Sequence, residues 1–267
     1  MFRAVSVLAV LLATGLPVAS VAAAESEAAQ LCDARAGRTG DPDLPAGTRG
    51  LLMADMDGAA ALEACTEAVR SAPGNRRLIH QLGRAHHKLG QFGPALAHFR
   101  VAGAFGSAAA LTSIGYMVEN GQGVAANPKR ARQLYRLAAK RGDATAWNNL
   151  GVIYRDGEGV RRSDRKAARF FRKGAARGSP QAMNSLGALL EEGGKGVRRD
   201  ARAAIALYRQ AAEQGEPVAM LNLGDAYTSG TGGLAIDLAA ARAWYEKAVA
   251  AGDAEAKDRL AKLDAGK

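Results

Sequence analysis

Two cysteines, four histidines and a dense run of arginines are the residues of this 267-residue chain with chemistry to offer. The histidines, His80, His86, His87 and His98, crowd into one stretch. A metal centre needs convergent ligands held by supporting partners. His80 and His87 would sit on neighbouring sides of one helix, and no His-Glu-x-x-His spacing occurs. They are expected at the surface, with no metal bound. There is no Gly-x-Ser-x-Gly elbow, no phosphate loop and no nucleophile beside a base. The paired carboxylates Glu191-Glu192 adjoin a turn and are read as solvated. The residues therefore point to binding rather than turnover, with no cofactor and no catalytic residue.

What the cysteines do depends on the compartment. The chain opens with Arg3, the apolar run Val5–Leu16 and the small residues Ala22-Ala23-Ala24. This reads as a secretory signal peptide, residues 1–24, cleaved after Ala24, because the apolar stretch is too short to span a bilayer. No cysteine follows the cleavage point to carry a lipid, and no other segment is apolar enough for a membrane span. The mature protein is expected in a bacterial periplasm. An oxidising compartment and an even count favour a Cys32–Cys65 disulfide. It would close a loop of about 33 residues, worth roughly 3–4 kcal/mol, and tie a helix around Glu27–Ala34 to one at Ala59–Val69. Between them, Arg38–Gly50 is rich in Gly, Pro and Asp and suits no regular element.

The formal charge is +10. Residues 128–177 hold fifteen Lys or Arg against Asp143, Asp156, Glu158 and Asp164, so the rest of the chain is close to neutral. Arg132, Arg136 and Lys140 recur at i, i+4, i+8. Arg162, Arg165, Arg169, Arg172 and Lys173 lie close to a second stripe. Such a stripe either attracts an acidic partner or solvates an outer helix face. Nucleic acid is not expected, since export removes it and no aromatics interleave for base stacking.

The elements that would position these residues are set by a repeat. Ala-x-x-x-(Ile/Leu)-Gly followed by a glycine-rich turn recurs around Gly115, Gly151, Gly187 and Gly224, at steps of 36, 36 and 37 residues. A period of that size means stacked units that cannot bury an apolar face alone. The copies run 106–141, 142–177, 178–214 and 215–251. In the second, Ala146, Leu150 and Tyr154 make one helical face, and Gly151 beside it lets a second helix approach. The turn Asp156–Val160 and its counterparts Asn120–Val124, Glu192–Val197 and Ser229–Leu234 follow. Asp143 and Ser179 are positioned to cap first helices; Asn127, Asp164, Asp200 and Asp237 are positioned to cap second helices. Trp147, Tyr154, Phe171 and Trp244 fall on the pattern as core residues.

The order of helix, Leu-Gly, aromatic, Gly-x-Gly-Val, cap, paired aromatics and closing Gly resembles the Sel-one-like repeat family, a branch of the tetratricopeptide superfamily. The resemblance covers 106–251. Residues 72–105, with Pro73, Leu82-Gly83, Ala95 and Phe99, are similar to a tetratricopeptide unit. Residues 25–71 would be a disulfide-pinned cap, and 252–267 a capping helix, from Asp253 to about Leu263, with a tail. The fold implied is all-α, a right-handed α-solenoid of stacked helix-turn-helix repeats. Val118, Leu190 and Gly233-Leu234 depart from the pattern in turn detail only. Hydrolase members of the family carry cysteine pairs within each repeat, which this chain lacks.

Peptide-binding members of the superfamily use polar residues on the inner face of first helices. The matching positions here are Arg77, Gln81, Arg84, Ser113, Asn149, Ser185 and Asn222. An Asn amide both donates and accepts, which suits an extended backbone, and arginines could fork onto a carboxylate. The resemblance thus implies an adaptor that binds an exported or membrane protein, as relatives that restrain sensor kinases or envelope assemblies do. The alternative is an acidic envelope polymer held by the basic stripe. Whether 25–56 fills the groove is left open by the sequence.

Overall fold

The computed structural model describes residues 18–38, 41–45, 48, 50, 51, 53 and 55–266, with side chains from Glu27 onward. Among them are thirteen α-helices and no strand beyond two isolated bridges. Helices α1 (Val18–Ala36) and α2 (Gly58–Ser71) form a cap. Five pairs follow: α3 (Arg76–Lys88) with α4 (Phe92–Ala104), α5 (Ala108–Asn120) with α6 (Pro128–Lys140), and α7 (Ala144–Asp156) with α8 (Asp164–Ala175). Then come α9 (Pro180–Glu192) with α10 (Ala201–Glu213) and α11 (Pro217–Ser229) with α12 (Leu238–Ala250), and α13 (Ala254–Asp264) closes the stack. Residues 1–17 of the expected leader lie outside the described residues, and the expected cleavage point falls inside α1. No described helix is long and apolar enough to cross a membrane.

Each pair is locked by one close contact. A methyl group added at Gly151 would lie 2.3 Å from the ring of Phe171. Gly115, Gly187 and Gly224 face Tyr135, Tyr208 and Tyr245 in the same way, and Gly83 faces Phe99. All five rings are buried. The glycines are therefore the price of bringing the two helices together. Where the ring is tyrosine, its hydroxyl donates to a carboxylate of the first helix: Tyr135 to Glu119 (2.7 Å), Tyr208 to Glu191 (2.8 Å) and Tyr245 to Asp225 (2.7 Å). Glu191 is thus engaged rather than solvated. Phe171 has no hydroxyl, and Arg155 stands where Glu119 and Glu191 stand, paired with Asp156.

Caps set where the helices begin. Ser107, Asp143 and Ser179 accept backbone N–H groups at first helices, and Asn127, Asp200 and Asp237 at second helices. One cap differs from expectation. Ser163, not Asp164, caps α8, accepting from Lys166 N–H. Two cap-competent residues stand side by side here, and Asp164 takes the first helical position, where its buried carboxylate accepts the Lys195 N–H of the next repeat (2.9 Å).

Cys32 and Cys65 are disulfide-bonded, joining α1 to α2. Both are fully buried among Ala36, Met56, Ala61 and Leu78. Tyr154 and Phe171 are core, as expected. Trp147 and Trp244 are only half-buried. Lys173 Nζ lies 4.6 Å from the Trp147 ring and Lys247 Nζ 4.1 Å from the Trp244 ring, so these indoles hold cations at the surface.

Candidate partner-binding groove

First helices α3, α5, α7, α9 and α11 line one side of the stack, and the described residues between α1 and α2 (37, 38, 41–45, 48, 50, 51, 53 and 55–57) form an irregular strap that bonds to α3 and to the start of α7. Leu51 N–H donates to the Gly37 carbonyl (2.7 Å), which folds the strap back on itself. Arg84, fully buried, donates from Nη1 to the Ala36 carbonyl (2.6 Å) and from Nη2 to the Leu51 carbonyl (2.9 Å). Burial pushes this guanidinium down to about 9, which leaves it charged at neutral pH. Gln81 Nε2 donates to Asp33 Oδ1 (2.8 Å), and Arg77 Nε lies 3.3 Å from the same oxygen. Burial nevertheless raises the Asp33 carboxyl above its ordinary value, against the pull of Gln81 and Arg77. Arg76 forks onto Asp43, and Lys88 donates to the Met53 carbonyl (2.9 Å).

Arg77, Gln81 and Arg84 are therefore not a vacant receptor. The expectation of a free ladder at α3 is corrected: these side chains hold the chain's own N-terminal segment. The expectation for the histidines is corrected too. His80 is fully buried, with Nδ1 3.0 Å from Asp41 Oδ2 and Nε2 3.0 Å from Ser113 Oγ. His86, His87 and His98 are half-buried. Burial lowers His80, so the ring is neutral and donates Nδ1–H to Asp41. Burial works to raise Asp41, but His80, Arg38 and the Asp43 amide together hold it well below the usual carboxylate range.

Asp41–His80–Ser113 has the order of a hydrolase triad, which the sequence did not reveal because the three residues come from separate elements. Its neighbours explain it differently. Ser113 Oγ also lies 3.2 Å from the Ala109 carbonyl, the usual acceptor of a helical serine, so its single proton serves either that carbonyl or His80 Nε2. The His80–Ser113 contact is the first of a series of rungs between successive first helices. Ser185 Oγ donates to Asn148 Oδ1 (2.9 Å), and Asn222 Nδ2 donates to Asn184 Oδ1 (2.8 Å). Each rung joins the residue two before one repeat glycine to the residue three before the previous one. Ser113, Ser185 and Asn222 thus fix the register between repeats. The rung between Thr112 and Asn149 is missing, since Thr112 instead donates to Asp143.

Asp143 is a junction. It caps α7 through Thr145 N–H (3.1 Å), accepts from Thr112 and holds the strap residue Arg38, whose Nη2 lies 2.9 Å from Oδ1. Beside the strap a cavity of about 360 Å³ opens, lined by Leu51, Met53, Phe99, Thr112, Tyr116 and Asn149. Tyr116 is 46% exposed. A second cavity, of about 540 Å³, follows along the same side and is lined by Leu51, Asp55, Gln181, Glu216, Met220 and Lys247 among others. Two openings in the groove thus remain beside the strap.

The basic stripe divides. Arg132 donates to the Gly159 carbonyl, Arg136 to the Tyr154 hydroxyl, Arg162 pairs with Asp164, and Lys173 covers Trp147. Lys140, Arg165, Arg169 and Arg172 are exposed, and among the described residues no carboxylate pairs with them.

A family model described as the Sel1 repeat matches residues 108–143, 145–179, 180–216 and 217–253. Among solved structures, a Sel1 repeat protein from Oxalobacter formigenes is 24% identical, with a TM-score of 0.62 over 78% of this chain and 88% of that one. A protective antigen of uropathogenic Escherichia coli, c5321, is 26% identical, with a TM-score of 0.56 over 79% of this chain and 45% of that one. The immunity protein Pa5087 of Pseudomonas aeruginosa is 19% identical, with a TM-score of 0.57 over 93% of this chain and 89% of that one. No curated protein matches the sequence.

Proposed function

Because the chain belongs to the Sel1 repeat family, whose repeats generally mediate protein–protein interaction, we propose that it is a non-enzymatic periplasmic adaptor or regulator that binds an exported or membrane protein on its inner face. It would serve an envelope or sensor-kinase system. The observation that carries this reading is the strap. An irregular segment already lies on the first helices, held by arginine and lysine donors to its carbonyls and by side chains to its carboxylates. Side-chain donors to main-chain carbonyls are also what a groove needs to hold a partner peptide. The cavity at Tyr116 and Asn149 offers an apolar socket for a partner side chain next to a polar amide. The buried disulfide supports export to an oxidising compartment.

Crosslinking in intact cells, affinity capture and mass spectrometry test it, with Tyr116→Ala combined with Asn149→Ala as the comparison. Neither residue forms a rung, but Asn149 bonds the Tyr135 hydroxyl, so the variant's melting temperature is measured alongside. One dominant protein lost from the variant supports the reading; a partner set unchanged by the variant overturns it. The unpaired Lys140, Arg165, Arg169 and Arg172 favour a second reading, a polyanion or cell-wall polymer on the outer face. Binding of that kind weakens steeply with salt and ignores the inner-face variant.

A further inference from the structure

The inner face treats the first-helix cap positions unequally. The residues at that place in successive repeats are Ser107, Asp143, Ser179, Glu216 and Asp253. Four of them accept a backbone N–H of their own helix. Glu216, before α11, makes no cap bond of full geometry, although the Val218 amide faces its carboxyl. A full cap is worth about 1 kcal/mol, and here the helix start engages at most one of the two carboxylate oxygens. Glu216 is also buried, at 7% exposure, and its Oε2 has no hydrogen-bond partner although it belongs to the wall of the 540 Å³ cavity. Burial raises its carboxyl above the ordinary value, Asp253 adds to that, and Gln181 and the Val218 amide only partly oppose it. The charged groups around the cavity are Asp55, Asp253 and Lys247, and Lys247 lies over the Trp244 ring.

Two repeats earlier the same place shows what is missing. Asp143 is fully buried, and it receives the guanidinium of Arg38, a strap residue just past the end of α1. An acid at a cap position thus already serves as the acceptor for a cation from an irregular segment of the chain itself. Glu216 has that position and charge, one more methylene of reach, and an adjoining cavity, but no cation.

We propose that the cavity beside Glu216 receives an arginine or lysine side chain from an extended segment of the protein partner, an inference that rests on the inner face being the partner-binding surface. Oε2 accepts from the incoming cation, as Asp143 Oδ1 accepts from Arg38. Leu51 and Met220 flank its aliphatic stem, as apolar walls do for long cationic side chains.

The test uses the mature, disulfide-bonded protein and fluorescent pools of short peptides. Each pool is randomised over Ala, Leu, Ser, Asn and Tyr around one fixed central residue: arginine, lysine or the uncharged citrulline. Binding by fluorescence polarisation should be about tenfold or more tighter for the arginine pool than for citrulline. Glu216→Gln should erase that preference and leave the citrulline affinity unchanged. Asn149→Ala should weaken all pools alike. Because Glu216→Gln keeps an acceptor oxygen for the Val218 amide and removes a carboxylate whose ionised form burial disfavours, it should melt no lower than the parent. If the pools bind without charge preference, or the preference survives Glu216→Gln, the cation site is refuted while the groove reading stands. If no pool binds, both fall.

Discussion

Removing the disulfide tests how the cap and strap are held, and its magnitude follows from the loop it closes. Cys32 and Cys65 are 33 residues apart in sequence. A cross-link of that span removes chain entropy from the unfolded state worth about 3.7 kcal/mol. In a solenoid each unit touches mainly its neighbours, and α1 and α2 pack on each other and on α3. The loss in Cys32→Ala/Cys65→Ala should therefore concentrate in residues 27–71. Hydrogen exchange of the native protein reads it directly: amides of α1 and α2 should lose protection by about 500-fold, which is 3.7 kcal/mol at 1.4 kcal/mol per tenfold. Helices α9 to α12 should change little. Equal loss of protection in every helix would show that the stack opens only as a whole, and no loss in α1 and α2 would show that packing alone holds the cap. Either outcome refutes the reasoning. Loosening of this kind should also free Arg77, Gln81 and Arg84 from Asp33 and the strap carbonyls.

Gly151→Ala drives a methyl into the buried Phe171 ring; overpacking of roughly 1–3 kcal/mol, less about 1 kcal/mol of helix propensity, leaves a net loss of up to about 2 kcal/mol in urea unfolding. Truncating the ring in the same molecule should recover part of it. Burial holds His80 below its ordinary value, so the unfolded chain takes up a proton below about pH 6.5 while the folded ring stays neutral. Stability is then complete above that pH and falls as pH drops beneath it, by up to about 1.4 kcal/mol per pH unit until the folded ring titrates. His98, also lowered by burial, acts in the same sense, so urea midpoints of His80→Gln between pH 7 and 5 should show a lesser slope rather than none.

Much of the fold was legible because its determinants are local and periodic. The glycine steps located the helix pairs, the close approach at Gly151 followed from its place beside an apolar face, and most caps could be read from Asp, Asn or Ser before a helix. The cap at Ser163 was misplaced by one residue because two competent side chains adjoin there. The disulfide followed from compartment and cysteine count. The strap was not legible. Arg38–Gly50 has no periodicity, and its contacts join residues 33 to 105 positions apart through carbonyls and buried charges, as in Arg84 with Leu51 and Arg38 with Asp143. For the same reason Arg77, Gln81 and Arg84 read as free binding residues and His80 as a surface histidine. The rungs at Ser185 and Asn222 were visible as polar positions, but only the neighbouring helix reveals that they bond to Asn148 and Asn184.

The strap also changes the mechanics of the molecule. A stack in which each unit leans only on the next behaves like a coil spring, with compliance spread evenly along its length. Here a disulfide-anchored splint runs from α3 to the start of α7 through Arg38 and Asp143, bypassing the intervening pair. Bending at the N-terminal end must stretch a buried ion pair, whereas the ion pairs that join α11 and α12 to α13, Arg259–Asp225 and Arg242–Asp264, are solvent-exposed. The spring is thus clamped at one end and soft at the other, and a ligand seated near Glu216 would curl the soft end toward a fixed reference.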